Sequence, residues 1–379
     1  MIRGKLNAVL LFVISISVSV FSLSYSQDGT ILMSPYLQAV TTNSIYVLVE
    51  CSTTDAVVVE YGLTGSYGLR ARTESCDTTT NSTYVHNIKI SGLSPNTLYH
   101  YRALQNGTTT GEAAFRTAPN PGTSYRFAWM ADFRTGVTVH DSIARRVAEA
   151  NPVMSLYGGD LCVNSGYQAF KEQFFRPNEL ALIARVPFFN TPGNHEKWST
   201  NTRAFTQAPA SSSGIQEYYS FDYGDMHVLV LNNEIPYDEE SPQYRFAQSD
   251  LSTTKRAWRV VINHKPAYVS GGHGENAKMK KMSESVFEPN HVDAVIGGDS
   301  HFYQHNLVNG IHHMVLGSVG APLYNPGSAS YVVKQAKEYD YGIIDVTPTS
   351  FKMMVYNDKG MPLDTLSLMK TNSAKSKKP

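Results

Sequence analysis

Between Ile31 and Thr117 apolar and polar residues alternate in short runs broken by Gly, Pro, Asn and Ser. A period of two puts alternate side chains on opposite faces of a strand, so this stretch reads as β structure. Strands are expected at Ser44–Glu50, Ala56–Tyr61, Tyr84–Ile90, Thr97–Gln105 and Glu112–Thr117, forming a small antiparallel sandwich. From Tyr125 the pattern changes. Strand-like runs at Tyr125–Met130, Val153–Tyr157, Val186–Asn190, Trp258–Ile262 and Val292–Ile296 alternate with helical stretches at His140–Ala150 and Tyr167–Ala184. That alternation predicts an α/β domain, with any chemistry at the carboxyl ends of the strands. Tyr341–Val346, Phe351–Tyr356 and Leu363–Leu368 are expected to close it as antiparallel strands.

Composition fits two folded domains. The 379 residues are 42% hydrophobic and 17% charged, enough to bury a core and too long for one ordinary domain. Lys+Arg and Asp+Glu are equal at 32 each, which argues against a nucleic-acid binder. Residues 1–26 carry Arg3 and Lys5, an apolar run from Ala8 to Leu23, and small residues at Ser24 and Ser26. They read as a cleaved signal peptide, which implies a secreted or periplasmic protein with no transmembrane segment in the mature chain. The expected order is a sandwich over 27–117, a Pro- and Gly-containing linker over 118–124, the α/β domain over 125–369 and a polar tail over 370–379. Of three cysteines, Cys51 and Cys76 lie close enough in sequence to pair within the sandwich, leaving Cys162 over.

Within the sandwich, Leu93-Ser94-Pro95-Asn96-Thr97-Leu98-Tyr99 sets a turn followed by a tyrosine that can bond back to the corner backbone. This segment resembles a fibronectin type III-like domain. The five α/β strands end in Asp132, in Gly159-Asp160, in Gly193-Asn194-His195-Glu196, in His264 and in Gly298-Asp299-Ser300-His301. Alone, each such residue is more often a helix cap or a turn residue. Five in succession at strand ends point to ligands converging on metal.

That series resembles the dinuclear metallophosphoesterases. With the sandwich ahead of it and Ala321-Pro322-Leu323-Tyr324 near the end, it is similar to the purple acid phosphatase-like branch. The resemblance implies an all-β fibronectin/immunoglobulin-like sandwich followed by an α-β-β-α metallophosphoesterase domain. It implies two metal ions bridged by Asp160, with Asp132 and His301 on the first and Asn194, His264 and Asp299 on the second. Manganese, iron, zinc and magnesium are the candidate ions. His195 would meet the phosphoryl group or protonate the leaving oxygen. His273 sits in a Gly-rich loop of the substrate-contacting kind, with a solvent-exposed loop histidine the equal alternative, and Arg134, two residues past Asp132, is a candidate phosphate grip, with a surface salt bridge the equal alternative. Trp198 and Tyr303 are cleft-wall candidates, with core packing the alternative.

Three positions depart from the purple pattern: Val163 replaces a tyrosine, Asp299 a histidine and Arg134 a glycine. The implied activity is hydrolysis of small phosphate monoesters by a metal-bridging hydroxide. The alternatives are a phosphodiesterase or nucleotidase on the same metals, and a non-catalytic surface protein with a decayed enzyme domain.

Overall fold

The computed structural model describes residues 30–209 and 216–371. The expected signal peptide at 1–26 and most of the 370–379 tail lie outside these residues, as does the centre of the Ser199–Glu217 loop.

Tyr125–Met130, Met154–Tyr157 and Phe188–Asn190 pair in parallel at the heart of a ten-stranded sheet. Asp340–Val346, Ser350–Asn357 and Pro362–Met369 extend it antiparallel on one side, as the closing runs predicted. A second sheet of seven strands has four parallel members: Met226–Val230, Trp258–Ile262, Ala294–Gly297 and Ile311–Leu316. Period two decides how the sheets stack. Phe127, Trp129, Met154 and Leu156 share one core with Val228, Val230, Val260 and Ile262 of the other sheet. Ala128 and Met130 face the other way, onto Ile143 and Val147 of the helix Val137–Glu149. Leu229 and Val261 pack on the helices Pro242–Thr253 and Ala277–Met282. The result is helix, sheet, sheet, helix.

The single helix expected over Tyr167–Ala184 is broken. Tyr167–Ala169 runs into a wider turn at Phe170–Phe174, and a new helix starts at Pro177–Ile183. Proline lacks the N–H a continuing helix needs and drives the residue before it extended; Arg176 has ψ 156°.

In the N-terminal region, Tyr36–Gln38, Ser44–Cys51, Tyr84–Ser91 and Ser75–Thr78 lie opposite a sheet built from Val58–Gly62, Leu69–Arg72, Leu98–Gln105, Thr108–Thr109 and Ala113–Arg116. The Ser94 N–H donates to the Tyr99 hydroxyl at 3.0 Å, which is the expected corner contact. The sandwich is joined to the α/β domain through the backbone. Gln38 pairs in parallel with Phe188, so one sheet of the sandwich continues the ten-stranded sheet.

Cys51 and Cys76 do not pair; all three cysteines are free. Cys51 lies opposite Tyr84 and Cys76 opposite His86, so the strand Tyr84–Ser91 runs between them. Two strand spacings, about 9–10 Å, exceed the reach of a disulfide. Tyr303 is fully buried, with its hydroxyl on Asp364 Oδ2 at 2.6 Å, so it is a core residue. Trp198 lines a separate depression with Ser75, Asp77 and Arg203.

His313 in Ile311–Leu316 is buried against Tyr268 and its Nδ1 has no partner. Burial, with the neighbouring His312 charge, pulls its pKa down to about 3. Below the ordinary histidine range the unfolded chain therefore takes up a proton that the folded chain refuses, and stability is lost as pH falls. His313→Leu should flatten the acid side of a denaturant-unfolding profile between about pH 6 and 4, by at most about 1.4 kcal/mol per pH unit. An unchanged slope would show that His313 is not the proton sink.

Candidate metal centre

The five polar strand ends meet at the seam between the two sheets. Asp132 and Asp160 end strands of the first sheet, and Asp299 follows a strand of the second. All three turn through left-handed backbone, with φ of 58°, 52° and 65°. Aspartate tolerates this conformation better than most residues, and it swings each carboxylate back over its strand end. Glycines allow the close approach. A Cβ on Gly298 would lie 2.3 Å from Asp132 Oδ2, and one on Gly193 would lie 2.2 Å from the Asp160 nitrogen. The Asp299 N–H donates to Asp132 Oδ2 at 3.1 Å, tying one sheet's strand end to the other's.

Both buried histidines are fixed in the same tautomer. His264 Nδ1–H donates to the Gly158 carbonyl at 2.7 Å, and His301 Nδ1–H donates to the Pro322 carbonyl at 2.7 Å. Each therefore turns its Nε2 into the site. The surroundings of the two Nε2 atoms differ. His264 Nε2 faces oxygens: Asn194 Oδ1 at 3.0 Å, Asp160 Oδ1 at 3.4 Å and Asp299 Oδ1 at 3.6 Å. His301 Nε2 lies 3.4 Å from Asp132 Oδ1 but accepts from Arg134 Nη2 at 3.2 Å. The Nε of the same guanidinium donates to Asp160 Oδ2 at 3.2 Å.

His195 binds Asp160 Oδ1 through its backbone N–H at 3.0 Å. Its ring Nδ1–H donates to the Val163 carbonyl at 2.8 Å, leaving Nε2 3.6 Å from Asp160 Oδ2. His273 is exposed on a loop; its backbone N–H donates to Ser300 Oγ, and its ring meets Tyr324 edge-on. Tyr324 in turn stacks on His301 at 4.4 Å. An open cleft of about 490 Å³ is lined by Asn194, Lys265, His273, Glu275, Asn276 and Asp299. Lys265 is already paired with Glu234 at 2.6 Å.

The electrostatics are those of a site short of positive charge. Burial alone would lower the His264 pKa, but the charges of Asp160, Asp132 and Asp299 outweigh it and hold it at about 9. Burial raises Asp132, while for Asp160 burial is outweighed by His264, His195 and Arg134, so Asp160 lies below the usual carboxylate range. Buried Glu196 accepts from the Gly193 N–H at 2.7 Å, and burial together with the Asp160 charge pushes it up to about 8.

Residues 127–303 match the family model of the calcineurin-like phosphoesterases. This segment is a calcineurin-like phosphoesterase domain. The chain is 33% identical over 272 residues to purple acid phosphatase 21 of Arabidopsis thaliana, covering 66% of this chain and 60% of that protein. The chain thus spans about three fifths of that relative's length. In structure it resembles the yellow lupin purple acid phosphatase PPD1, with a TM-score of 0.77 at 19% identity over 89% of this chain and 74% of that one. It also resembles PhoD, with a TM-score of 0.66 at 13% identity over 92% and 95%. These two likenesses concern the fold.

Ions in this family are implied in pairs, and the residues fit the two positions unequally. Ligand atoms about 2.0–2.2 Å from one ion stand roughly 3.0–3.5 Å from each other. His264 Nε2 stands 3.0, 3.4 and 3.6 Å from oxygens of Asn194, Asp160 and Asp299, close to that spacing. Asp132, Asp160 and His264 also offer atoms that all lie within 4.8 Å of one another. At the other position the His301 lone pair is already taken by Arg134, expected from its place in the chain to grip phosphate in the cleft. The structure turns that guanidinium onto Asp160 and His301 instead. Pro322 and Tyr324, singled out in the sequence only as part of a motif, orient His301 and cover its ring, a role that proximity in space reveals.

Asp299→Asn keeps the side chain's shape and removes its charge. It should weaken binding of a divalent ion by more than the roughly 10–100-fold typical of an outer-shell partner, measured by equilibrium dialysis. Unchanged affinity would place Asp299 outside the ion's reach.

Proposed function

We propose that this chain is an exported, metal-dependent phosphoesterase that hydrolyses small phosphate monoesters. The observation that carries the proposal is His264 Nε2 surrounded by Asn194, Asp160 and Asp299 oxygens, an arrangement that calls for a positive charge, which a metal ion supplies in place of a proton. The relatives named as purple acid phosphatases support phosphoric esters as the substrate class. Three oxygens and one imidazole suit manganese or magnesium better than zinc. Val163 offers no phenolate to stabilise ferric iron, so divalent ions are the expected cofactor. The same reading takes residues 1–26 as an export signal, 27–117 as the sandwich and 125–369 as the catalytic part.

When bound, such a cation supplies Lewis acidity to a phosphoryl oxygen and makes water acidic enough to lose a proton near neutral pH. The chain's own groups do the rest. Asp160, Asn194, His264 and Asp299 hold the charge at the strand ends. His195, anchored by Val163 through Nδ1, directs Nε2 into the site, where in its protonated form it donates to the leaving oxygen. His273 and Tyr324 wall the cleft beside His301. Among the described residues no helix is long and apolar enough to cross a membrane.

The test is hydrolysis of para-nitrophenyl phosphate against its bis ester, after chelation and refilling with manganese. Preference for the monoester, lost on chelation and restored by the ion, is expected. Preference for the bis ester would make the chain a phosphodiesterase, and an ion-loaded protein inert to both would make it non-catalytic. His195→Ala should cut kcat by about 10²–10⁴-fold for a poor leaving group and much less for a good one, with ion affinity unchanged. Equal losses for all leaving groups would assign His195 to phosphate positioning instead.

A further inference from the structure

We propose that Arg134 serves as a built-in cation in this centre, so that the chain holds one metal ion and not two. The inference rests on reading the strand ends as a phosphoesterase metal site. Its basis is the unequal state of the two histidine lone pairs. An imidazole with Nδ1–H committed elsewhere has one lone pair, on Nε2, and that pair can bind one electrophile. His301 Nδ1–H is committed to Pro322, and His301 Nε2 receives Arg134 Nη2 at 3.2 Å. A metal ion on the same lone pair would require the guanidinium to leave. His264 Nδ1–H is committed to Gly158, but its Nε2 faces oxygens of Asn194, Asp160 and Asp299. That nitrogen is the one an ion can take, in exchange for a proton.

Arg134 is also seated as a cation between ligands would be. Its Nε lies on Asp160 Oδ2 while Asp160 Oδ1 faces His264, so Asp160 spans from the guanidinium to the ion position. The side chain is only 12% exposed, and a guanidinium cannot give up its charge under ordinary conditions. Charge agrees. The site holds three carboxylates, Asp132, Asp160 and Asp299, against one arginine. With Arg134 in place one divalent ion brings the sum to neutrality, and a second beside the guanidinium would leave a buried excess of positive charge, which is costly. Arg134 is thus a positioning and charge-balancing residue: it fixes Asp160 and His301 and stands where a second ion would.

The experiment is metal stoichiometry on the purified full chain, loaded with excess manganese and desalted. Elemental analysis should give about one ion per chain, and manganese electron paramagnetic resonance should show an isolated ion without the spin coupling of a close pair. Arg134→Ala frees His301 Nε2 and Asp160 Oδ2 and should raise the content to about two, with coupling appearing. Arg134→Lys keeps a positive charge and should stay near one. His301→Ala should leave the wild-type content at about one, while His264→Ala should abolish it. A wild-type protein with two coupled ions, loss of an ion in His301→Ala, or no second ion in a folded Arg134→Ala would each overturn the proposal. Should Arg134→Ala not fold, the wild-type count and the His301→Ala count still decide. Two ions together with ester hydrolysis would sink only this inference; no bound ion and no hydrolysis would sink the phosphoesterase reading with it.

Discussion

Three buried carboxylates must be held at one point without mutual repulsion unfolding the strand ends, and the rest of the centre depends on that constraint. Burial in a low-dielectric interior makes each uncompensated negative charge costly. The chain answers with donors aimed inward: the Asp299 N–H on Asp132, the His195 N–H and Arg134 on Asp160, and a His264 ring whose pKa is held at about 9. The left-handed turns at Asp132, Asp160 and Asp299 and the bare Gly193 and Gly298 are the steric conditions for this convergence. An ion at His264 Nε2 would replace a proton by a stronger and better-directed charge.

The sandwich contributes to the same end. Its edge strand pairs with Phe188, two residues before Asn190 and six before Asn194. The Tyr36 hydroxyl donates to the Phe205 carbonyl, and the Thr80 N–H donates to Asn201 Oδ1. These bonds brace both sides of the segment that carries Asn194 and His195. A module without catalytic groups of its own thereby stiffens the stretch whose precision the chemistry needs.

Much of this was legible in the sequence because the informative residues sit at strand ends, where period-two runs stop and polar residues begin. The five strands bearing Asp132, Asp160, Asn194, His264 and His301 were readable for that reason. The pairing of Tyr219–Tyr223 with Met226–Val230 was not: Tyr219–Tyr223 does alternate, but its partner Met226–Val230 is an almost continuously apolar run that does not distinguish strand from helix. The helix break before Pro177 was a local signal outweighed by an apolar repeat. The possible pairing of Cys51 with Cys76 rested on closeness in sequence, whereas a whole strand separates them in space. Arg134 was visible as an oddity beside Asp132, but its target was not: nothing local says that it turns to His301, which is 167 residues away.

The most direct test of the account is a crystal structure of the manganese-loaded protein with anomalous scattering data collected for manganese. The account predicts one anomalous peak, bounded by Asp160, Asn194, His264 and Asp299, with the Arg134 guanidinium between Asp160 and His301. Two peaks, with Arg134 displaced from His301, would contradict it.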